Sequence, residues 1–353
     1  MKKIVMSGGG SAGHVVPNIA LFDALSKDYE IYYMASEDGM ERALVEKLDI
    51  PYLPISSGKL RRYLSVKNFT DAFRVVKGFA QAVGYLRKVK PDLVFSKGGF
   101  VVVPVVMAAG FLKIPVVLHE SDITPGLATK ISLPFARAVC ISFPESKQHI
   151  KHKRIHLSGT PIREVIFKGD AAKGRELCGF DESKPVLLVM GGSQGSAKLN
   201  SVVKESIEKL TKSYNVVHLC GKDKMDADLS DTRGYVQFEY LDEEMPHILA
   251  AADIVASRAG ANSIFEFLAL RKPNLLIPLT KEQSRGDQLE NAESFKKQGF
   301  SKVLLEEDMD SLTFVMEIID LFTHKEKYIA TMDNSLVTDG VNEIVRVIKR
   351  YSV

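Results

Sequence analysis

An α/β chain with two parallel sheets is what the sequence predicts, on three observations. Short apolar runs alternate with longer helical patterns, the alternation restarts halfway along, and glycine clusters follow the strand-like runs again and again. The length of 353 residues suits two domains better than one hydrophobic core.

In the first half the strand-like runs are "KKIVMS", "EIYYMAS", "PYLPIS", "DLVFS", "IPVVLHE", "AVCISF" and "RIHLSG". After the polar stretch 163–184 come "PVLLVMGG", "NVVHLCG", "YVQFEY", "ADIVASRAG", "PNLLIPL" and "KVLLEE". Strands separated by helix-length segments belong to right-handed β-α-β units. "SGTPIR", 158–163, punctuates the junction with Gly159 and Pro161. The closing "TDGVNEIVRVIKRY" has apolar residues at 341, 344, 345, 347 and 348, a helix stripe that fits either half.

Composition narrows the class. With 45% hydrophobic and 26% charged residues the chain reads as soluble and globular. No export signal precedes the first strand, which points to the cytoplasm. The longest apolar run, 100–118, is broken by Pro104, Lys113 and Pro115, so a buried helix followed by a buried strand is expected there. Cys140, Cys178 and Cys220 lack disulfide or zinc spacing and read as reduced core residues. Charge is uneven: residues 1–160 hold 22 Lys and Arg against 13 Asp and Glu, while 161–353 hold 25 against 31.

Ligands of open parallel sheets sit beyond the carboxyl ends of strands, where the glycines fall. "IVMSGGGSAGH" contains G-x-G-x-x-G from Gly8 to Gly13 and then His14, "SKGGF" follows the run "DLVF", and "GGSQGS" (191–196) follows "PVLLVM". Glycines admit a phosphate to the backbone, and the helices they open offer N–H groups and a positive dipole end. Glu37 and Asp38 favour a dinucleotide reading; His14 in the first helical turn has no part in that mechanism.

Three further stretches carry polar chemistry. "LHESD" places His119, Glu120 and Asp122 at a strand end, where they either face a ligand or satisfy a loop capped by Asp122 or Thr124. In "SRAGANSIFEFLAL" the N–H groups of Ala261, Asn262 and Ser263 form an anion seat, and Glu266, one turn on, suits sugar hydroxyls. "EQSRGDQLENA" supplies Gln283, Arg285, Asp287, Gln288 and Asn291, amides that donate and accept alike. No triad order or metal-ligand spacing appears, and nothing requires a metal.

Together "GGGSAGHVVPNIAL", "SKGGFVVVP", "LHESDITPGLA", "GTPIR", "MGGSQGSAKLN" and "SRAGANSIFEFLALRKPNLLIPL…GDQLENA" closely resemble the MurG family of peptidoglycan-synthesis glycosyltransferases. The resemblance implies a glycosyltransferase B fold, two Rossmann-like domains facing across a cleft. Residues 1–160 with 338–353 would form the acceptor- and membrane-facing domain, and 161–337 the UDP-GlcNAc-binding domain.

It further implies donor contacts at Ser11, Ala12, Gly13, Arg163, Ser193 and Gln194, with Leu241 on uracil, Ala261, Asn262 and Ser263 on the diphosphate, Glu266 on the ribose and Gln288 on the sugar. The implied reaction is inverting: the C4 hydroxyl of an undecaprenyl-diphospho-muramoyl-pentapeptide attacks C1 of GlcNAc, and UDP departs. His14 is the first candidate for the base and Glu120 the second, with helix N-termini and Arg163 steadying the leaving group without a metal.

Phe100, Asp122 and Asp287 depart from the family pattern, which commonly has Tyr, Asn and Gln there. They leave room for another lipid acceptor such as diacylglycerol. A catalytically silent nucleotide-binding subunit and a dehydrogenase are the competing classes.

A lipid-linked acceptor implies peripheral attachment to the cytoplasmic face of the membrane, with no nucleic acid as partner and other cell-wall synthesis proteins as candidates. The segment 59–90 holds nine Lys or Arg, and Phe69, Phe73, Val76, Ala80 and Val83 recur at helical spacing. Most of that stripe is expected to be core, while the basic residues would draw the domain to anionic lipid.

Overall fold

The computed structural model describes residues 1–58, 67–192, 195–335 and 340–352, with the side chains of Ala12 and 67–72 also outside the description. The chain forms two compact units, Met1–Arg163 with Asp339–Val353, and Glu164–Thr338.

The first unit carries a sheet of β1 (Lys2–Ser7), β2 (Tyr29–Ser36), β3 (Tyr52–Ile55), β4 (Leu93–Ser96), β5 (Val116–Glu120), β6 (Ala138–Ile141) and β7 (Ile155–Leu157). Their order is β3-β2-β1-β4-β5-β6-β7, and every pairing is parallel. Helices cover both faces, so β4, β5 and β6 are buried along their whole length, as parallel strands must be. Ile4, Met6, Tyr33, Phe95, Val117 and Ile141 form the centre of the core.

The second unit repeats the scheme with β8 (Val186–Met190), β9 (Asn215–Leu219), β10 (Tyr235–Phe238), β11 (Ile254–Ser257), β12 (Asn274–Leu276) and β13 (Ser301–Val303). The order is β10-β9-β8-β11-β12-β13, again parallel throughout. Its core gathers Leu187, Val189, Val203, Ile254, Leu275 and Phe314.

Each unit is therefore Rossmann-like, with one point where the strand order reverses: between β1 and β4 in the first, between β8 and β11 in the second. At such a point the two following loops diverge and open a crevice for ligand. The glycine loops of the sequence fall on these points: Gly8–Gly13 and 97–100 after β1 and β4, and 191–192 with 195–196 and Arg258–Ser263 after β8 and β11.

The final helix, Gly340–Tyr351, packs Ile344, Val345, Val347 and Ile348 against β4, β5 and β6 of the first unit, settling which half it joins. The apolar run at 100–118 is a helix (Val102–Phe111) and a buried strand, as expected.

The expected core stripe of the basic segment fails. In the helix Lys67–Val89 the core side is made by Gly78, Ala82, Leu86 and Val89, while Phe73, Val76 and Ala80 are exposed and Val83 is half-buried. The stripe at 73, 76 and 80 faces outward because the helix already has a second apolar side, one turn-fraction away, that meets the sheet. Phe69 lies among the side chains outside the description. Cys140 and Cys220 are buried, whereas Cys178 is only half-buried, so it is not a core residue.

Candidate active site

In the first unit, Ser11 caps the helix Ala12–Ile19 with extended backbone, which places Ala12, Gly13 and His14 in the first turn. His14 does not point at random. Its Nδ1 lies 2.8 Å from Ser11 Oγ, and its backbone N–H donates to the Ser11 carbonyl at 3.1 Å. The ring's other edge lies over Gly98 of the second loop, where a β-carbon would come within 3.4 Å of His14 Cδ2 and 3.6 Å of Nε2.

The tautomer decides the chemistry. When Nδ1–H donates to Ser11 Oγ, Nε2 carries the ring's lone pair and is the accepting nitrogen; the reverse arrangement makes Nε2 a donor.

The two loops touch through backbone alone at Gly99, which has φ +86° and whose added β-carbon would sit 2.2 Å from the Gly9 carbonyl oxygen. No other residue permits that approach. Glu41, fully buried, accepts from Gly10 N–H and Ser36 N–H at 3.3 Å each, and so holds the first loop to β2. Tyr33 Oη donates to the Gly8 carbonyl at 2.8 Å. The acid that braces this loop is therefore Glu41. Glu37 and Asp38, which the dinucleotide reading needed, are exposed.

At the end of β5 the expectation is corrected for His119. It turns inward, is 1% exposed, and donates through Nε2 to the Gly159 carbonyl at 2.8 Å. Burial, and then the Lys97 charge, hold its pKa well below the ordinary imidazole value, so it is neutral. Glu120 is 7% exposed and accepts from the Asp122 N–H at 3.1 Å and the Gly126 N–H at 3.2 Å, one on each oxygen. It brackets the loop to which capping by Asp122 or Thr124 was assigned; the helix that follows is capped by Gly126 with no side-chain bond.

Lys97, which the sequence reading passed over, is 1% exposed and donates to Ser121 Oγ. Burial pulls its pKa down to about 8, opposed by Glu120 and Asp122. Arg163 closes the unit half-buried, and its Nε has no hydrogen-bond partner among the described residues.

In the second unit, Gly195 at φ +68° would place a β-carbon 1.9 Å from the Cys220 carbonyl oxygen, so the loop after β8 requires glycine there. Ser196 then caps the helix Ala197–Ser213 through Oγ to Leu199 N–H at 3.3 Å. Ser193 and Gln194 lie outside the described residues. Gly260 caps the helix Ala261–Ala269 without a side-chain bond, and Ala261, Asn262 and Ser263 form its first turn. Glu266 and Leu241 are half-buried, Glu266 in the second turn of that helix.

Gln288 does more than wait for a sugar. Its Oε1 accepts from Ala259 N–H at 3.3 Å and Leu279 N–H at 3.1 Å, stapling the loops after β11 and β12, and its amide NH₂ is the donor end. Asn291 adds a bond from Nδ2 to the Ala259 carbonyl at 3.3 Å.

Arg258 is a further residue the sequence did not reveal. It is 6% exposed, pairs with buried Glu306, donates to Ser196 Oγ, and reaches the Ile277 carbonyl at 3.1 Å. Gln283 donates to the second oxygen of Glu306 at 3.0 Å. One buried ion pair thus joins the loops after β8, β11, β12 and β13. The only sequence signal was a lone arginine directly after a buried strand.

Comparisons with known proteins agree with this geometry. The glycosyltransferase family 28 N-terminal domain matches residues 4–141 and the family 28 C-terminal domain matches 186–350. A Clostridium botulinum protein named UDP-N-acetylglucosamine–N-acetylmuramyl-(pentapeptide) pyrophosphoryl-undecaprenol N-acetylglucosamine transferase is 52% identical over 353 residues, all of both chains. A Clostridium kluyveri protein of the same name is 54% identical over 352 residues, 99% of this chain and 100% of that one.

Among solved structures, Acinetobacter baumannii MurG superposes with a TM-score of 0.76 at 22% identity, covering 99% of this chain and all of that one. Neisseria meningitidis UDP-GlcNAc 2-epimerase shares the fold at a TM-score of 0.67 and 14% identity, covering 99% and 100%. On sequence and domain content, the chain belongs to the MurG family within glycosyltransferase family 28.

Proposed function

We propose that the chain is a UDP-GlcNAc-dependent N-acetylglucosaminyltransferase that glycosylates the C4 hydroxyl of an undecaprenyl-diphospho-N-acetylmuramoyl-pentapeptide. The observation that carries this reading is the full-length identity of about one half to relatives named for that reaction.

In the reaction the acceptor O4–H gives its proton to His14 Nε2 while its oxygen forms the bond to C1 of GlcNAc. The bond from C1 to the diphosphate oxygen breaks, UDP leaves with the electron pair, and the configuration at C1 inverts. The first-turn donors of the helices at 197 and 261, with Arg163, meet the charge that builds on the diphosphate. Leu241 lies against uracil, Glu266 takes the ribose hydroxyls, and the Gln288 amide faces the sugar. Ser11, Ala12 and Gly13 add contacts to the donor from the first loop, and Asp122 contacts substrate from the end of β5. Because dipoles and a guanidinium supply this support, the step calls for no metal, and a chelator should leave the rate unchanged.

The enzyme works at the cytoplasmic face of the membrane. No described helix is long and apolar enough to cross a bilayer. What supports surface attachment is the outward face of the first unit: Phe73 is 73% exposed, Val76 65% and Phe111 64%, with Arg74 and Lys77 exposed between them. Apolar side chains enter the interface while each basic residue adds about 1 kcal/mol near anionic lipid.

The test is transfer of labelled GlcNAc to a lipid-linked muramoyl-pentapeptide and, separately, to diacylglycerol. Label in the muramoyl lipid alone is expected; label in diacylglycerol alone would overturn the assignment.

A further inference from the structure

The first unit holds a second concavity, of about 750 Å³, far from the glycine loops in the fold. It opens where β6 and β7 begin, whereas the glycine loops lie where strands end. One wall is Lys130 on the helix Leu127–Ser132 and Arg137 just before β6; the other is the loop 151–154 before β7, with Lys151, Lys153 and Arg154. No carboxylate lines it, and none of these five cations forms an ion pair among the described residues.

A run such as "KHKR" is ordinarily a solvated face, but here it is folded onto an opposing wall. His152 makes the seam: Nε2 donates to the Ala136 carbonyl at 3.1 Å and Nδ1 accepts from Arg154 N–H at 3.1 Å. Arg154 Nη1 reaches toward the Arg137 carbonyl at 3.5 Å. Like charges are thereby collected rather than spread, with no carboxylate on the pocket lining among the described residues.

The floor and rim between the walls are apolar, formed by Leu133, Pro134 and Ala136. They continue into Phe135, which packs on Gly110, where an added β-carbon would meet Phe135 Cδ1 at 2.5 Å. Beside Gly110 is exposed Phe111, its ring 6.1 Å from that of Phe79 on the helix that presents Phe73 and Val76. The cationic pocket is thus the end of the exposed apolar face.

We propose that this pocket seats the phosphate-bearing head group of an anionic lipid, whose acyl chains lie along Phe135 and Phe111. The proposal rests on the membrane-facing reading of the first unit, and it adds a defined site where that reading has only an attractive surface. Unpaired cations match a phosphodiester, and the adjoining apolar rim matches what is attached to it.

The test uses the full chain and the water-soluble short-chain lipid dihexanoyl-phosphatidylglycerol, titrated calorimetrically. Lys151→Gln with Lys153→Gln is compared with Lys27→Gln with Lys47→Gln, which removes two exposed charges elsewhere on the same unit. At roughly fivefold per charge, the pocket pair should weaken binding about 25-fold. The distant pair should change it less than about threefold. Equal losses from both pairs would reduce the effect to net charge and overturn the proposal.

Inorganic phosphate is the second ligand. Binding as tight as that of the lipid would make the pocket a free-phosphate seat and also overturn it. Vesicles of equal parts phosphatidylglycerol and phosphatidylcholine separate the two readings. If wild type ignores them yet binds the soluble lipid through Lys151 and Lys153, membrane attachment fails while the head-group seat stands.

Discussion

The two units share one architecture and hold their ligand loops by opposite means. In the first, the loops after β1 and β4 meet backbone to backbone, Gly99 against Gly9, and the imidazole of His14 stands beside that contact, held on Ser11. In the second, the loops after β8, β11, β12 and β13 are bound by side chains, Arg258 with Glu306 and Ser196, and Gln288 with Ala259 and Leu279. Under the proposed reaction, the first unit must hold one proton-accepting group in one orientation. The second must fix several loops at once around a large donor. The same parallel-sheet plan serves both because the loops carry the chemistry.

Removing the reactive side chain should have the largest effect. His14→Ala is expected to lower turnover roughly 10²- to 10⁴-fold with an unchanged melting temperature, measured as labelled GlcNAc transferred per minute. Turnover within tenfold of wild type would move the base elsewhere.

Next comes the ion pair of the second unit. Glu306→Ala strands Arg258 in a buried position, and loss of one partner of a buried pair costs about 3–5 kcal/mol. Denaturant unfolding should show this loss, and an unchanged midpoint would mean that the pair does not hold the loops.

Acid should weaken the second unit through His218, whose pKa burial pushes down to about 4. Unfolded, the same imidazole binds a proton below about 6.5, so its share of stability is present above that pH and lost as pH falls to 4. The loss is about 3 kcal/mol at most. His218→Asn should flatten stability across that window; an unaltered slope would assign the acid sensitivity to other groups. Smallest is Glu266→Ala, expected to weaken UDP-GlcNAc binding by about tenfold through hydrogen bonds worth 1–2 kcal/mol, read by calorimetry.

Much of the fold was legible because its signals are local. Strand after strand ends in a glycine turn, and the last helix carries its stripe within a dozen residues. The place of His14 in the first helical turn was legible for the same reason, since it stands next to the motif that positions it. What could not be read depends on distance along the chain. Glu41 braces Gly10 from 31 residues away, and Arg258 meets Glu306 across 48.

The outward stripe of Phe73, Val76 and Ala80 was misread because periodicity shows that a helix has an apolar side and does not say which of two sides meets the sheet. The basic pocket needs residues 130–137 and 151–154 brought together by the pairing of β6 with β7, a register no sequence pattern states.

The division of labour between the units is tested most directly by titrating UDP-GlcNAc into His14→Ala and following sugar transfer in the same preparation. The dissociation constant should stay within about twofold of wild type while transfer is lost. A variant that loses the donor along with turnover, or keeps both, would contradict a first unit that reacts and a second that seats.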